Sequence, residues 1–115
     1  MNDSNAISSL YKVVLDRKRE SAEGSYTRYL FEQGLDKILK KLGEECAETI
    51  ISAKNYERGA YTADSLVGEV GDLLYHLLVM LAQLDVPLES VLAELDARAL
   101  KQGNLKPMKT VDKNT

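Results

Sequence analysis

The 115-residue sequence contains one cysteine, one histidine, two prolines and no tryptophan. Cys46 alone cannot form a disulfide within the chain, and it cannot supply a zinc site that needs several thiolates. No basic N-terminal region precedes an apolar run, so a signal peptide is not expected. The most apolar stretch, residues 73–84, has about half of the ~20 residues that a membrane span needs. These absences predict a soluble, cytoplasmic protein.

The sequence also lacks an excess of basic charge. It has 15 Lys and Arg against 18 Asp and Glu, a formal net charge of −3. Proteins that bind nucleic acids generally depend on basic residues that contact phosphates, so that class is not expected. Hydrophobic residues make up 44% and charged residues 29%, as in globular domains. We therefore expect one domain over residues 1–103 and a polar tail over residues 104–115.

The residues between the few glycines and prolines favour helix, because they are mainly Leu, Ala, Glu and Lys and no segment alternates with period two. Four main helices are predicted, over residues 6–19, 35–56, 65–84 and 87–102, with a short helical turn over 28–33. The link over residues 57–64 is short, so the second and third helices should form an antiparallel hairpin. The predicted fold is all-α.

The second helix has an apolar stripe that is expected to face the third helix. The stripe comprises Leu35, Ile38, Leu39, Leu42, Cys46, Ile50 and Ala53. Cys46 lies on it and is expected to be a buried, inert thiol. The third helix has two apolar strips, the second formed by Val67, Leu74 and Leu78, and one neighbouring helix cannot cover both. A second copy of the chain is therefore expected to complete a helical bundle as a homodimer.

Two acidic pairs carry the main functional signal, Glu45 with Glu48 and Glu69 with Asp72. Residues three apart on a helix lie side by side, so each pair presents two carboxylates in one direction. On a helical wheel, both pairs are displaced from the apolar stripes in the same rotational sense. An antiparallel hairpin would therefore bring them to one side at similar heights.

Four carboxylates in one place would repel one another and raise some of their pKa values, and a divalent cation removes that conflict. Ligation by oxygen alone favours Mg²⁺, with Mn²⁺ or Ca²⁺ as alternatives. Mg²⁺ commonly bridges to phosphate oxygens, so the pattern indicates a phosphorylated small molecule as substrate. The alternative interpretation is a solvated acidic helix face, which is the usual meaning of one such pair alone.

Further segments complete a pattern that extends from about Leu10 to Leu100. They are Gly24-Ser25-Tyr26-Thr27, Tyr29-Leu30-Phe31-Glu32 with Gly34, residues 35–41, Gly43-Glu44-Glu45 with Glu48, Glu69, and residues 72–79. In these segments the chain resembles the phosphoribosyl-ATP pyrophosphatases of histidine biosynthesis, which belong to the all-α, MazG-like nucleotide pyrophosphohydrolase superfamily. The acidic pairs alone identify only the superfamily. The Ser-Tyr-Thr segment and the Asp-Leu-Leu-Tyr-His run point to the histidine-pathway branch.

The resemblance implies that the chain hydrolyses phosphoribosyl-ATP to phosphoribosyl-AMP and pyrophosphate, with Mg²⁺ as cofactor. The implied metal ligands are Glu45, Glu48, Glu69 and Asp72. Glu44 and Glu45 are the implied catalytic acids, with Glu44 either a partner of a ligand or a base for the attacking water. The resemblance also implies assembly into a homodimer, and association with the next enzyme of the pathway stays open.

Basic and polar side chains near the acids are the candidates for substrate binding. Lys41 lies on the flank of Glu45 and is the first choice for phosphate, with Lys37 near the same end. An ion pair between Lys41 and Glu45 is the alternative. The resemblance implies that residues of the nucleotide pocket include Ser25, Tyr26 and Thr27. From the residues alone, they predict a turn and a helix cap.

His76 lies one turn after Asp72, so it could donate a hydrogen bond that orients this ligand, or it could be a core histidine. Two other functions also stay open. One is a general nucleoside-triphosphate pyrophosphohydrolase with the same metal site. The other is a non-catalytic dimeric helical adaptor whose acids are only surface charge.

Overall fold

The computed structural model describes residues 4–20 and 25–103, and this part of the chain is helical without any strand. Five helices follow one another: α1 Ser4–Arg19, α2 Tyr26–Gln33, α3 Leu35–Glu57, α4 Ala63–Gln83 and α5 Leu88–Gly103. The all-α prediction is confirmed. The short turn predicted over 28–33 is a full eight-residue helix, α2, so five helices replace the expected four. The predicted tail over 104–115 lies outside the described residues.

Helix α2 begins and ends at residues that suit those positions. Ser25 has an extended backbone, and its hydroxyl accepts a hydrogen bond from the Arg28 N–H at 3.2 Å. Gly34 follows the helix with a φ of +94°, which glycine adopts at little cost, and its N–H donates to the Leu30 carbonyl. Because α3 starts at the next residue, Gly34 is the whole connection between α2 and α3.

Side chains of helix α1 form hydrogen bonds that stabilise the turn between α4 and α5. The Tyr11 hydroxyl donates to the Val86 carbonyl at 2.9 Å. The Lys18 ammonium donates to the Ala82 carbonyl at 2.7 Å and pairs with Asp85 at 2.8 Å. Asp85 has a φ of 56°, a conformation that residues other than glycine seldom adopt. The contacts from α1 therefore stabilise a turn with an unfavourable backbone conformation.

Helices α3 and α4 form the predicted antiparallel hairpin. The Thr49 hydroxyl lies 3.3 Å from the Glu69 carbonyl. One turn earlier on α3, Glu45 lies close to Asp72 and His76, which come later on α4. Because the residue earlier on α3 contacts the residues later on α4, the two helices run in opposite directions.

The face of α3 that is buried differs from the expected one. Its buried residues are Ile38, Glu45 and Ser52, which recur every seven positions. In contrast, Ile50 of the predicted stripe is 66% exposed, and Cys46 is exposed as well. The stripe is buried at Ile38, near the start of the helix, but the predictions that it continues as the seam and that Cys46 is buried are wrong for the single chain. Helix α3 is rotated so that polar side chains, rather than the apolar stripe, lie inside the hairpin.

The core is small and lies where α1, α2 and the start of α3 meet the second half of α4. Its buried apolar side chains are Tyr11, Val14, Leu30, Ile38, Leu78, Val79, Ala82 and Leu88. The radius of gyration is 17.1 Å, whereas a compact chain of this length would have about 13 Å. Large apolar side chains stay exposed elsewhere, for example Val67 and Leu74 on α4. A single chain therefore leaves several helix faces uncovered.

Helix α4 is the one helix in the described ranges that could span a membrane by length and composition. It nevertheless carries Glu69 and Asp72 as well as the buried His76. Ionisable side chains are costly within a bilayer. A central helix of a soluble protein has the same composition, and α4 packs against α1, α2 and α3. We therefore describe α4 as the central helix of a soluble fold.

Candidate functional site

Three of the four predicted metal ligands converge in the hairpin. One carboxylate oxygen each from Glu45, Glu48 and Glu69 lies within 4.8 Å of the other two. Glu45 and Glu48 are one turn apart on α3, and Glu69 faces them from α4. Asp72 is one turn further along α4 and lies near enough to raise the pKa of both Glu45 and Glu69, although it is outside this closest group. Two neighbouring helices are sufficient to assemble the cluster.

The cluster contains buried carboxylate oxygens without hydrogen-bond partners. Glu45 is only 7% exposed, and the Oε2 atoms of Glu45 and Glu69 are inaccessible to solvent and unpartnered. Burial raises the pKa of Glu45, and the neighbouring Glu48 carboxylate raises it further. The pKa of Glu69 is raised by the same two causes.

Unpartnered buried carboxylates destabilise a fold unless something neutralises them. The oxygen-only donor set and the close spacing fit a hard divalent cation such as Mg²⁺ or Mn²⁺. The arrangement differs from that of an ordinary solvated acidic face, in which each carboxylate would be hydrated.

His76 is 4% exposed and is held at both ring nitrogens. Its Nδ1 lies 2.7 Å from the Asp72 main-chain carbonyl, which can only accept, so the neutral ring carries its proton on Nδ1. Its Nε2 then accepts from the Tyr26 hydroxyl at 3.2 Å. The predicted contact with Asp72 exists, but it is made to the backbone and not to the carboxylate. His76 therefore fixes the position of Tyr26 beside Glu45.

The segment Ser25 to Thr27 lies against the second half of α4. The Ser25 hydroxyl caps α2, and the Thr27 and Tyr75 hydroxyls form a hydrogen bond with an oxygen–oxygen distance of 2.5 Å. The Tyr26 ring stacks on Tyr29 with a centroid distance of 6.1 Å, and both rings are nearly half exposed. Tyr26 and Tyr29 together form an aromatic shelf next to the acidic cluster.

The predicted phosphate-binding lysines lie at the N-terminal end of α3. Lys41 pairs with Glu44 at 3.2 Å rather than with Glu45. This hydrogen bond raises the pKa of Lys41 and lowers that of Glu44. The Lys37 charge also lowers the pKa of Glu44, so it is near the same point. Positive charge therefore lies beside the aromatic shelf, at one end of the acidic cluster.

Sequence reasoning did not assign roles to Tyr29, Thr49 and Ser52. The spacing of Tyr26 and Tyr29, three apart on a helix, is a signal that could have identified the shelf. The Thr49 hydroxyl donates to the Glu45 carbonyl at 2.8 Å and shares this proton with the Glu69 carbonyl of α4 at 3.3 Å, so it links the two helices at the cluster. No local signal distinguishes Ser52, because its burial depends on the rotation of α3.

Comparisons with known proteins agree on one family. The sequence profile described as phosphoribosyl-ATP pyrophosphohydrolase matches residues 7–99. A protein of Pelotomaculum thermopropionicum is 55% identical over 102 residues, which cover 89% of this chain and 99% of that protein. One of Clostridium novyi is 48% identical over 107 residues, 93% of each chain, and one of Listeria welshimeri is 50% identical over 106 residues, 92% of this chain and 97% of the other. All three are named phosphoribosyl-ATP pyrophosphatase.

Proposed function

The chain belongs to the phosphoribosyl-ATP pyrophosphohydrolase family, and from that premise we infer that it hydrolyses phosphoribosyl-ATP to phosphoribosyl-AMP and pyrophosphate, the second step of histidine biosynthesis. The reaction cleaves a phosphoanhydride bond. It needs neutralised phosphate charge and a positioned water rather than a protein nucleophile. We expect this soluble enzyme in the cytoplasm.

The observation that carries the proposal is the cluster of three carboxylate oxygens within 4.8 Å. We propose that Glu45, Glu48 and Glu69 hold Mg²⁺, with Asp72 as a fourth ligand. Bound Mg²⁺ would neutralise charge on the phosphate oxygens and lower the pKa of a water molecule. Mn²⁺ is the alternative because it shares the preference for oxygen ligands. The unpartnered oxygens of Glu45 and Glu69 support this role.

Lys41 and Lys37 are proposed to bind phosphates of the substrate. The exposed pair between Lys41 and Glu44 supports this role, because such pairs contribute little to stability and Lys41 can exchange its partner for a phosphate at small cost. Glu44 then positions Lys41.

Tyr26 is proposed to contact the substrate with its exposed ring, since aromatic faces stack on nucleobases. Its hydroxyl is bonded to His76, so the ring is held in place before the substrate binds. Ser25 and Thr27 are already engaged with Arg28 and Tyr75, and we assign them the role of placing Tyr26.

A homodimer is proposed to cover the exposed apolar faces of α3 and α4. Ile50 on α3 and Val67 on α4 are each exposed by about two thirds. The radius of gyration of the single chain also exceeds that of a compact domain of its length. A second copy is the partner that closes a helical bundle with no other component.

Pyrophosphate release tests the function. Purified protein with Mg²⁺ is mixed with phosphoribosyl-ATP, ATP, GTP or dUTP, and Glu48→Gln is compared with Glu94→Gln, which changes an exposed acid of α5. We expect release from phosphoribosyl-ATP alone, with loss in Glu48→Gln and full activity in Glu94→Gln. Comparable release from ordinary triphosphates would indicate a general pyrophosphohydrolase. No release and no Mg²⁺ binding would favour the adaptor.

Association with the next pathway enzyme remains a separate proposal, tested by co-purification.

A further inference from the structure

The aromatic shelf presents two ring surfaces that the single chain leaves partly uncovered. Tyr26 is 45% exposed and Tyr29 is 43% exposed. Their ring planes are inclined by 27°, and their centroid distance of 6.1 Å exceeds the ~3.5–4.0 Å contact distance of directly overlaid rings, so the rings are offset. Tyr75 and His76 of α4 lie against the Tyr26 ring, with centroid distances of 6.3 and 5.9 Å. The shelf is therefore supported by α4 and stays accessible to a flat ligand.

The hydrogen bond of Tyr26 makes its ring richer in electrons. Because the His76 Nδ1 proton is donated to the Asp72 carbonyl, Nε2 is the acceptor and the Tyr26 hydroxyl is the donor. A phenol that donates a hydrogen bond gains negative charge on its oxygen and, by conjugation, on its ring. The faces of aromatic rings already carry negative charge and attract cations. The bond to His76 therefore strengthens the attraction of the Tyr26 ring for a cation.

More carboxylate than ammonium charge surrounds Tyr26 among the described residues. Burial raises the pKa of the Tyr26 hydroxyl, and the Lys41 ammonium acts against this rise. The Glu45 and Glu44 carboxylates raise the pKa further, so both are near Tyr26 as well. Lys41 is paired with Glu44 at 3.2 Å. Since four carboxylates around one divalent cation also remain net negative, a positive group on the shelf meets negative surroundings.

The substrate of the proposed reaction differs from ATP in the charge of its base. In phosphoribosyl-ATP the second pentose is attached to N1 of adenine. An adenine substituted at N1 is a cation near neutral pH, because it becomes neutral only when its amino group loses a proton, whereas the adenine of ATP is neutral. Thr27 and His76 are already bonded to tyrosine hydroxyls, so they do not read the edge of a base. Ring faces and charge are therefore the means by which the shelf tells the two bases apart.

We propose that Tyr26 and Tyr29 bind the adenine of phosphoribosyl-ATP as a cation, so that the shelf distinguishes this substrate from ATP. The inference deepens the proposed function and rests on it. A neutral base that stacks on the shelf gains dispersion and the burial of apolar area, whereas a cationic base is also attracted by the negative ring faces. Tyr29 is thus a specificity residue that supplies the second of the two faces.

The test compares two isomeric triphosphates that differ in charge. 1-Methyl-ATP has a cationic base and N6-methyl-ATP has a neutral one, while each carries one added methyl group and neither carries the second pentose. Each is used as its α,β-methylene analogue, in which the bond whose cleavage yields pyrophosphate is blocked. Calorimetry of wild type in Mg²⁺ at pH 7 should give about 3- to 10-fold tighter binding of the 1-methyl form than of the N6-methyl form or of the ATP analogue.

Variants at Tyr29 assign this preference to the shelf. Tyr29→Leu should lower the ratio of the two affinities to below about 2, whereas Tyr29→Phe keeps an aromatic face and should retain most of the ratio. Tyr56→Leu is the matched control, because Tyr56 is 47% exposed and lies in the last turn of α3. Inorganic tripolyphosphate has no base, so its affinity should be the same in all four proteins. On phosphoribosyl-ATP, Tyr29→Leu should lower kcat/KM by the factor lost in binding, mainly through KM.

Each outcome decides one part of the inference. Equal affinities of wild type for the 1-methyl and N6-methyl forms, or binding of neither, would overturn it, and this comparison does not require any variant to fold. A preference that persists in Tyr29→Leu would overturn the assignment to the shelf. If wild type releases no pyrophosphate from phosphoribosyl-ATP, the proposed function fails, and the ratio of affinities still decides whether the shelf selects a cation.

Discussion

Replacement of Glu45 by glutamine should stabilise the metal-free protein while it abolishes stabilisation by Mg²⁺. Glu45 is 7% exposed and one of its oxygens is unpartnered. Its nearest carboxylate oxygen and that of Glu48 are at most 4.8 Å apart. At that distance two unit charges repel by about 0.9 kcal/mol in bulk water and by about 3.5 kcal/mol at an effective dielectric constant of 20. Glu48 is exposed, so the lower end applies, about 1 kcal/mol.

A gain of about 1 kcal/mol corresponds to a rise in Tm of about 4 °C for a domain of this size. Circular dichroism melts of wild type and Glu45→Gln, each in EDTA and in millimolar Mg²⁺, measure both effects. Wild type should gain stability with Mg²⁺, whereas Glu45→Gln should gain little, because a neutral amide is a weaker ligand for a hard cation. The kcat of Glu45→Gln on phosphoribosyl-ATP should fall by more than 100-fold, because losing a proposed metal ligand should cost more than losing a residue that only hydrogen-bonds to a ligand.

Glu94→Gln is the matched control, because it makes the same chemical change in an exposed pair with Arg98 on α5. That pair contributes at most about 1 kcal/mol, so its loss should leave Tm unchanged or slightly lower. A decrease in the Tm of metal-free Glu45→Gln, or an undiminished response to Mg²⁺, would refute the reasoning. The first result would mean that Glu45 has a stabilising partner, and the second that the cation binds elsewhere.

Three further perturbations test other parts of the site. The raised pKa values of Glu45 and Glu69 mean that the folded protein binds protons more tightly than the unfolded chain, so wild type loses stability as these carboxyls ionise. The Tm of metal-free Glu45→Gln should therefore exceed that of metal-free wild type by a difference that widens as pH rises above about 4.5. A difference that stays constant with pH would contradict this. Tyr26→Phe removes the hydrogen bond to His76, so it should lower the free energy of unfolding in denaturant by about 1 kcal/mol and raise KM. An unchanged free energy of unfolding and an unchanged KM would exclude this contact. If the chain forms the proposed homodimer, Ile50→Lys should convert it to monomer in analytical ultracentrifugation, with Lys54→Ala as the exposed control on α3. A dimer that persists in Ile50→Lys would show that this face is not the interface.

The helices could be predicted because their causes are local. Periodic leucines, the Ser25 cap and the glycine after α2 act within a few residues, and the predicted bounds agree closely with those observed. The convergence of Glu45 and Glu69 could also be predicted, since a short link forces α3 and α4 into an antiparallel pair.

The rotation of α3 could not be predicted in the same way. A hydrophobic wheel assumes that the most apolar stripe is buried within the chain, but here Ile50 is exposed and Glu45 and Ser52 are buried. Most of the apolar stripe stays on the surface of the single chain, and the hairpin interior holds polar side chains instead. The bond between Tyr26 and His76 joins residues fifty positions apart, so no local pattern encodes it.

The glycine between α2 and α3 has a consequence for how the proposed site tolerates variation. Gly34 has φ +94°, and no atom lies within 4 Å of where a Cβ would stand. A side chain would therefore meet no steric obstacle but would still disfavour this backbone angle. Any substitution at Gly34 would therefore strain the one-residue connection between α2, which carries Tyr26 and Tyr29, and α3, which carries Glu45 and Glu48. One achiral residue thus joins the helix of the proposed substrate-binding tyrosine to the helix of two proposed metal ligands.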